Sequence, residues 1–346
     1  MEITPGTFDD FIIAATEKDI SDIHFIPERP AFYRDTKSGK LLPFADSDIL
    51  SSQQIEDMLL CKKEFSDYKD KISLTGDIDA SYAARFTNGK SINCRVNVFE
   101  THQGTAIAVR IFPTFIPSMN KLGLPGVVQN LIYRPNGLII FTAPTGNGKT
   151  TSIASMLETI NDNISKRIIT IEDPVEYVFN SKRSIISQRE IGKNCSDYAA
   201  GLRAALREDP DIIMVGEMRD RDTILTAIAA AESGHLVFST LHAGNVVQAV
   251  DRIKQYFNGS EQEQIQMQFA NAFQAVIAQK LLPRKDESGR VAAFEVLLSN
   301  DATRNLIRTG EAFQLPGYMT AKDGMFTMQY SIRELLMRGV IENGKT

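Results

Sequence analysis

Gly137-Leu138-Ile139-Ile140-Phe141-Thr142-Ala143-Pro144-Thr145-Gly146-Asn147-Gly148-Lys149-Thr150-Thr151 is an apolar run entering a glycine-bearing loop that ends in Lys-Thr. Behind it, Ser152-Ile153-Ala154-Ser155-Met156-Leu157 continues at helical period. A strand that feeds such a loop ahead of a helix reads as a phosphate-binding loop. Backbone N–H groups freed by Gly146 and Gly148 wrap the anion, Lys149 reaches the β- and γ-phosphates, and the Thr150 hydroxyl holds Mg²⁺. A nucleotide is the expected ligand, with Pro144, Thr145, Gly146, Asn147, Gly148, Lys149, Thr150 and Thr151 as its contacts. Ala143 stands where the strict pattern has its first glycine, so the reading rests on the two glycines nearest the phosphates and on the flanks. The alternative is an ordinary glycine-containing strand-to-helix turn.

Further along, three other apolar runs turn abruptly polar at their C-terminal ends. Arg167-Ile168-Ile169-Thr170-Ile171 leads into Glu172-Asp173-Pro174-Val175-Glu176. Asp211-Ile212-Ile213-Met214-Val215 leads into Gly216-Glu217-Met218-Arg219-Asp220, and Leu236-Val237-Phe238-Ser239-Thr240-Leu241 leads into His242. Ligands of open α/β sheets sit at that edge, so carboxylates and a histidine are expected to converge near the phosphates. Alternation of apolar strands with helices predicts a parallel sheet covered on both faces. Before about Phe112, a short amphipathic helix (Phe8, Phe11, Ile12 and Ala15 on one face) and the alternating strand from Ser91 to Phe99 predict a small α+β domain. Pro113 and Pro117 mark Phe112 to Ser118 as a linker. The expected division is residues 1–111 as an N-terminal domain, 112–121 as linker and hinge, and 122–346 as the nucleotide domain with a helical C-terminal region.

A chain of 346 residues, 43% hydrophobic and 23% charged, has the composition of a globular protein with room for two domains. A formal net charge of −5 argues against a protein that coats nucleic acid, and no stable nucleic-acid binding is expected. Cys61, Cys94 and Cys195 are far apart and lack metal-type spacing, which predicts neither a disulfide framework nor a zinc site and fits a reducing cytoplasm. The apolar run Phe11 to Ala15 lacks a basic leader, unlike a secretory signal, and no segment is long and apolar enough to span a bilayer. The charged stretches from Glu261 to Gln266 and from Arg284 to Arg290 read as solvated helix and loop surface.

Together, the phosphate loop, Ile171 to Glu176, Val215 to Asp220 and Gly234 to His242 resemble the four signature boxes of secretion ATPases, in order and spacing. More narrowly, the chain is similar to the pilus-retraction (twitching motility) ATPases. The similarity extends from Ser21-Asp22-Ile23-His24 through Arg95-Val96-Asn97 and Ala108-Val109-Arg110 to the C-terminal domain. The resemblance implies a homohexameric ring that hydrolyses ATP with Mg²⁺. Each subunit would carry a small PAS-like α+β domain and a RecA-like P-loop ATPase domain. The ring would act in the cytoplasm, peripheral to the inner membrane, on an inner-membrane platform protein of a pilus or secretion machine.

Hydrolysis of a γ-phosphate needs a metal, a polarised water and positive charge on the transition state. Glu217, at the end of a buried strand where the family uses a glutamate, is expected to orient or activate water; its alternative is a structural carboxylate capping the next turn. Gly216 occupies a place where many P-loop ATPases keep an acid. Mg²⁺ is therefore expected to lean on Thr150, on water and on Glu172 or Asp173, with Glu172 also carried as a catalytic carboxylate. By resemblance His242 is a γ-phosphate sensor, and His235 is carried as a second nucleotide contact; a satisfied core imidazole is the alternative for both. Arg203 and Arg207 are four apart and so on one helical face; the resemblance implies that they, with Arg95, Arg110 and Arg219, are candidates for contacts to a neighbouring subunit's ATP. Surface ion pairs with Glu208 or Asp209 are the alternative.

Pilus-assembly and type II secretion ATPases usually carry a four-cysteine zinc module, which this sequence lacks. Ala302-Thr303-Arg304-Asn305-Leu306-Ile307-Arg308 resembles a motif associated with retraction ATPases, with Thr303 in place of isoleucine and Thr309 in place of glutamate. Leu306 and Ile307 could equally pack an amphipathic helix. An ATPase of a type IV secretion or conjugation apparatus is the rival within the same chemistry, supported by Ala143 and by the divergent Pro27 to Arg34. Outside that chemistry stand a non-hydrolysing nucleotide-binding assembly regulator, which Lys149, Thr150, Glu217 and His242 oppose, and a nucleic-acid motor, which the acidic balance opposes.

Overall fold

The computed structural model describes residues 7–18, 20–35, 39–44, 47–85 and 91–342, in two compact units. One takes the described residues up to Phe115 together with Pro174–Val178, and the other takes Ile116–Asp173 and everything from Phe179 onward. In the first unit, Thr7 caps helix α1 (Phe8–Glu17) through a reciprocal box with Asp10. The helix buries Phe8, Phe11, Ile12 and Ala15, as the spacing predicts. Strands β1 (Asp22–Phe25), β2 (Phe32–Arg34) and β3 (Leu41–Pro43) precede helices α2 (Ser52–Leu60) and α3 (Tyr68–Thr75). The long strands β4 (Asp77–Arg85), β5 (Ser91–Thr101) and β6 (Gly104–Ile111) complete a six-stranded antiparallel sheet of order β3-β2-β1-β6-β5-β4. The alternation of β5 turns Ile92, Cys94, Val96 and Val98 inward. Pro174–Val178, a short excursion in sequence from the second unit, belongs with this sheet: Asn93 Nδ2 donates to the Val175 carbonyl at 3.4 Å.

The second unit opens with helix α4 (Gly126–Gln129), and then strand β7 (Gly137–Thr142) leads through the glycine loop into helix α5 (Lys149–Asn163). Strands β8 (Arg167–Glu172) and β9 (Ile185–Glu190), helix α6 (Tyr198–Ala205), strand β10 (Ile212–Val215), helix α7 (Arg221–Glu232), strand β11 (Leu236–Leu241) and helices α8 (Val246–Gln255) and α9 (Ser260–Ala272) follow. A hairpin of β12 (Phe273–Pro283) and β13 (Arg290–Leu298) and helices α10 (Asp301–Arg308), α11 (Leu315–Tyr318) and α12 (Met328–Met337) end the described chain. The seven-stranded sheet runs β13-β12-β7-β11-β10-β8-β9. Every pairing is parallel except β12 with β13. The parallel expectation is thus corrected at one edge, where the exposed turn near Glu287 and Gly289, both at positive φ, returns the chain beside β12.

Because β7 is buried along its whole length, its residues feed two cores. Leu138 and Ile140 join Ile169, Ile213 and Val237 on one face, while Ile139 and Phe141 join Ile168, Ile212 and Phe238 on the other. Each such side chain contributes about 1.5–3 kcal/mol of burial, which is why the strand is held rigidly at the base of the loop.

Helix α10 is divided in its duties. Asn300 caps it in a reciprocal box with Thr303, whose hydroxyl also donates to the Leu298 carbonyl at 3.0 Å. Leu306 and Ile307 lie in the core. Arg304 donates to the carbonyls of Ala270 (3.0 Å), Asn271 (2.5 Å) and Phe273 (3.3 Å), closing the C-terminal end of α9. Asp301, Ala302, Asn305 and Arg308 are exposed. No helix among the described residues is long and apolar enough to cross a membrane.

Candidate nucleotide-binding site

The loop after β7 turns on two left-handed residues, Gly146 and Gly148, both at φ 79°. No added Cβ at Gly146 would meet a neighbour, so glycine is needed there for conformation alone. At Gly148 space is also tight, with Gln279 Nε2 2.9 Å from where a Cβ would stand. Ala143 is fully buried and is not among the positive-φ residues, so its position does not demand the glycine of the strict pattern. Gly148 is the N-cap of α5 and supplies no side-chain cap, which leaves the first-turn N–H groups for an anion. Lys149, 8% exposed, folds back so that Nζ donates to the Ala143 carbonyl at 2.8 Å. The Thr150 hydroxyl, half-buried on the first turn, has no hydrogen-bond partner among the described residues. Pro144, Thr145 and Gly146 are exposed and Thr151 is half-buried. A free helix terminus, a lysine and an unengaged hydroxyl fit a nucleotide phosphate and its magnesium ion.

Beside the loop, the ends of β10 and β11 bring Glu217, Arg219 and His242 together. Glu217 Oε2 accepts from Arg219 Nε at 2.5 Å and its Oε1 lies 3.2 Å from His242 Nε2. Burial, and after it the Lys149 charge, hold the His242 imidazole below its ordinary pKa, against the opposing pull of Glu217. The two side chains therefore meet at 3.2 Å with the imidazole biased toward its neutral form. The absence of an acid at Gly216 has a steric reason: a Cβ there would stand 3.0 Å from Tyr198 Oη and 3.2 Å from the Ile171 carbonyl.

Other expected site residues are placed elsewhere. Glu172 is 5% exposed, and its Oε1 accepts from Thr170 Oγ1 (2.6 Å) and Gln188 Nε2 (3.1 Å), so this oxygen is committed to β8 and β9. Asp173 is exposed and lies 3.5 Å from Arg219 Nη1. It follows a strand three places from β7 in the sheet, roughly 14 Å at the usual strand spacing. His235 precedes β11, at the opposite edge of the sheet from the loop, with Nδ1 3.0 Å from the Ala230 carbonyl and 3.1 Å from Ser233 Oγ. Within one subunit it does not reach the phosphate loop, because a strand of six residues, about 20 Å, separates the two edges. Arg203 and Arg207 are exposed, and Arg207, just beyond α6, donates to the Arg203 carbonyl at 3.0 Å. Glu208 pairs instead with Arg189 at 2.5 Å. In the first unit, Arg95 and Arg110 lie directly opposite each other on β5 and β6, with Arg95 bonded to Asp79 and Arg110 to Asp22 (3.0 Å).

Several residues that position this edge were not anticipated. Thr142 Oγ1 donates to the Ala243 carbonyl (2.9 Å) and accepts from the Ala243 N–H (3.0 Å), and Arg252 Nη1 donates to the His242 carbonyl (2.8 Å), so the backbone around His242 is pinned. Thr240 Oγ1 donates to the Gly216 carbonyl at 2.6 Å. Gln279 bridges Asn147 and Ser152. A lone amide in the run Ala275-Val276-Ile277-Ala278-Gln279-Lys280-Leu281-Leu282 is the signal that could have marked it.

A histidine whose folded pKa lies below its unfolded value of about 6.5 contributes stability that is fully present above that value and is lost as pH falls through the folded one. The melting temperature of the wild type is therefore expected to drop more between pH 7.5 and 5.5 than that of His242→Gln. Equal slopes in the two melting series would remove His242 from this role.

A doubly covered, mainly parallel sheet with a phosphate loop after an interior strand and a carboxylate and histidine at the neighbouring strand ends defines a RecA-like P-loop ATPase. The family model described as "Type II/IV secretion system protein" matches residues 6–339, and the chain belongs to that family. It is 37% identical over 333 residues to "Uncharacterized protein YggR" of Escherichia coli K12, covering 96% of this chain and 98% of that protein. It is 43% identical over 249 residues to a "Twitching motility protein" of Neisseria gonorrhoeae, covering 71% and 67%. Among solved structures it is similar to the pilus retraction motor PilT with bound ADP, at a TM-score of 0.89 and 40% identity, covering 99% of this chain and 96% of that one. Within its family the chain is a PilT-like ATPase.

Proposed function

We propose that the chain is the subunit of a homohexameric, Mg²⁺-dependent motor that powers type IV pilus retraction. It would act at the cytoplasmic face of the inner membrane on a platform protein of the pilus machine, without stable nucleic-acid binding. The observation that carries this reading is the joining of Glu217 and His242 beside the Lys149 loop, in a chain similar to a retraction motor over nearly its whole length. In this scheme the uncapped first turn of α5 and Lys149 bind the β- and γ-phosphates. Thr150, on the first turn of α5, would help to hold a magnesium ion, which when bound would supply positive charge to the transferring phosphoryl group. Glu217 leaves Arg219 to orient the attacking water and take its proton, while His242 reports on the γ-phosphate. Asp173 is retained as a contributor to the metal's surroundings through water, and Glu172 as the buried anchor of that edge.

Arg203, Arg207, Arg95 and Arg110, with Arg219, are proposed to contact ATP held by a neighbouring subunit, which would make turnover depend on ring assembly. The same proposal assigns residues 1–111 and 122–346 to separate moving bodies with 112–121 as the hinge, so that closure around ATP becomes rotation. The test is an electron-microscopic count of surface pili in the host carrying Glu217→Gln in place of the native gene. Excess pili that no longer retract are expected. Normal or absent pili would move the function to secretion, conjugation or assembly.

A further inference from the structure

We infer that Gln279 is a positioning residue for the phosphate loop: with Asn147 it clamps the loop to the β12–β13 hairpin and holds it in its anion-receiving shape before nucleotide arrives. The register creates the opportunity. Strand β7 ends at Thr142 opposite Ala278, whereas β12 continues to Pro283, so residues 279–283, paired with β13 on their other side, face the loop where β7 would otherwise run. Asn147 stands in for the missing strand. Its Oδ1 accepts from the Leu281 N–H at 2.9 Å, its Nδ2 donates to the Pro144 carbonyl at 3.2 Å, and its own carbonyl accepts from Gln279 Nε2 at 2.7 Å. Gln279 is 5% exposed, and its Oε1 accepts from Ser152 Oγ at 2.8 Å, which fixes the orientation of the amide from α5.

The chemical effect concerns polarity. A phosphate cradle works only while its peptide N–H groups face the anion and its carbonyls face away. In this loop the Ala143 carbonyl is held by Lys149, the Gly146 carbonyl faces Arg290 Nη1 at 3.4 Å, and the Asn147 carbonyl is held by Gln279. A flip of the peptide between Asn147 and Gly148 would turn a carbonyl into the cradle, and the Gln279 bond opposes that flip. Asn147, expected among the nucleotide contacts, spends its side chain on the hairpin and on the loop itself, so its backbone is what is left to serve the anion.

The inference rests on the nucleotide-site reading, and binding of a fluorescent ADP analogue by the wild type tests that reading separately. Gln279→Leu removes both amide bonds at similar volume. Its dissociation constant for the analogue and its KM for ATP are expected to rise about tenfold, because only a fraction of loops remains competent. Turnover at saturating ATP should change by less than about twofold, the pattern of lost uniform binding. Gln279→Glu, which keeps the acceptor for Ser152 but faces the Asn147 carbonyl with a carboxylate, should be at least as impaired. Asn147→Ala, on the loop surface, should raise the dissociation constant about threefold and carries the test if the buried variants do not fold. A folded Gln279→Leu or Asn147→Ala protein with wild-type affinity overturns the clamp, as does a loss confined to kcat.

Discussion

Lys149→Ala protein loses nucleotide binding and ATP turnover together, with affinity falling at least about a hundredfold. A charge-assisted bond from an ammonium to phosphate is worth about 3 kcal/mol, which is already a factor of more than 10². A second loss adds to it. Lys149 Nζ closes the loop onto the Ala143 carbonyl at 2.8 Å, and its removal strips a buried carbonyl of that donor just where β7 ends. Titration with a fluorescent ATP analogue, alongside phosphate release at saturating ATP, measures both quantities. A variant that binds as the wild type does would show that Lys149 serves the loop alone.

Glu217→Gln separates binding from chemistry. The amide keeps the volume of the carboxylate and an oxygen for Arg219 Nε, and its NH2 can donate to His242 Nε2 when the neutral ring carries its proton on Nδ1, so affinity should stay within a few fold of wild type. It cannot take a proton from water, and general-base removal costs about 10²–10⁴ in rate. Turnover at saturating Mg²⁺-ATP should fall by at least about a hundredfold while the titration is nearly unchanged. Wild-type turnover would take Glu217 out of its assigned role. Free carboxylate is also scarce at this edge, since Arg219 holds Glu217 at 2.5 Å. On the proposed mechanism, part of the activation step would be the breaking of this ion pair, whose arginine is half exposed while its carboxylate is largely buried.

The nucleotide-binding half of the fold was legible because burial on both faces leaves a plain record: β7, β8, β10 and β11 are continuous apolar runs with polar exits. Strand β9, Ile185-Ile186-Ser187-Gln188-Arg189-Glu190, left no such record, because it is a half-exposed edge strand. The hairpin β12–β13 was missed for another reason. Its alternation is blurred by burial on both sides of β12, and its partner β7 lies more than a hundred residues earlier in the sequence. Within the site, Lys149, Glu217 and His242 were readable as strand-end and loop chemistry. Gln279 was not, since an amide in a strand acquires its meaning only from the register that sets it beside Asn147. His235 stands at the start of β11, the end away from the loop, and a histidine at each flank of a strand does not by itself specify which one faces the ligand. The departure at Thr303 is accounted for by its hydroxyl, which serves the helix cap and the Leu298 carbonyl where isoleucine would serve neither.

Helix α10 keeps its core-facing and solvent-facing residues interleaved along a single stretch, and this governs how alleles in that stretch are interpreted. A loss of pilus function produced through Arg304, Leu306 or Ile307 arrives with a fall in the amount of protein in the cell, because those side chains close α9 and fill the core. One produced through Asn305 or Arg308 arrives at normal abundance, so an immunoblot beside each motility assay sorts the two kinds of allele.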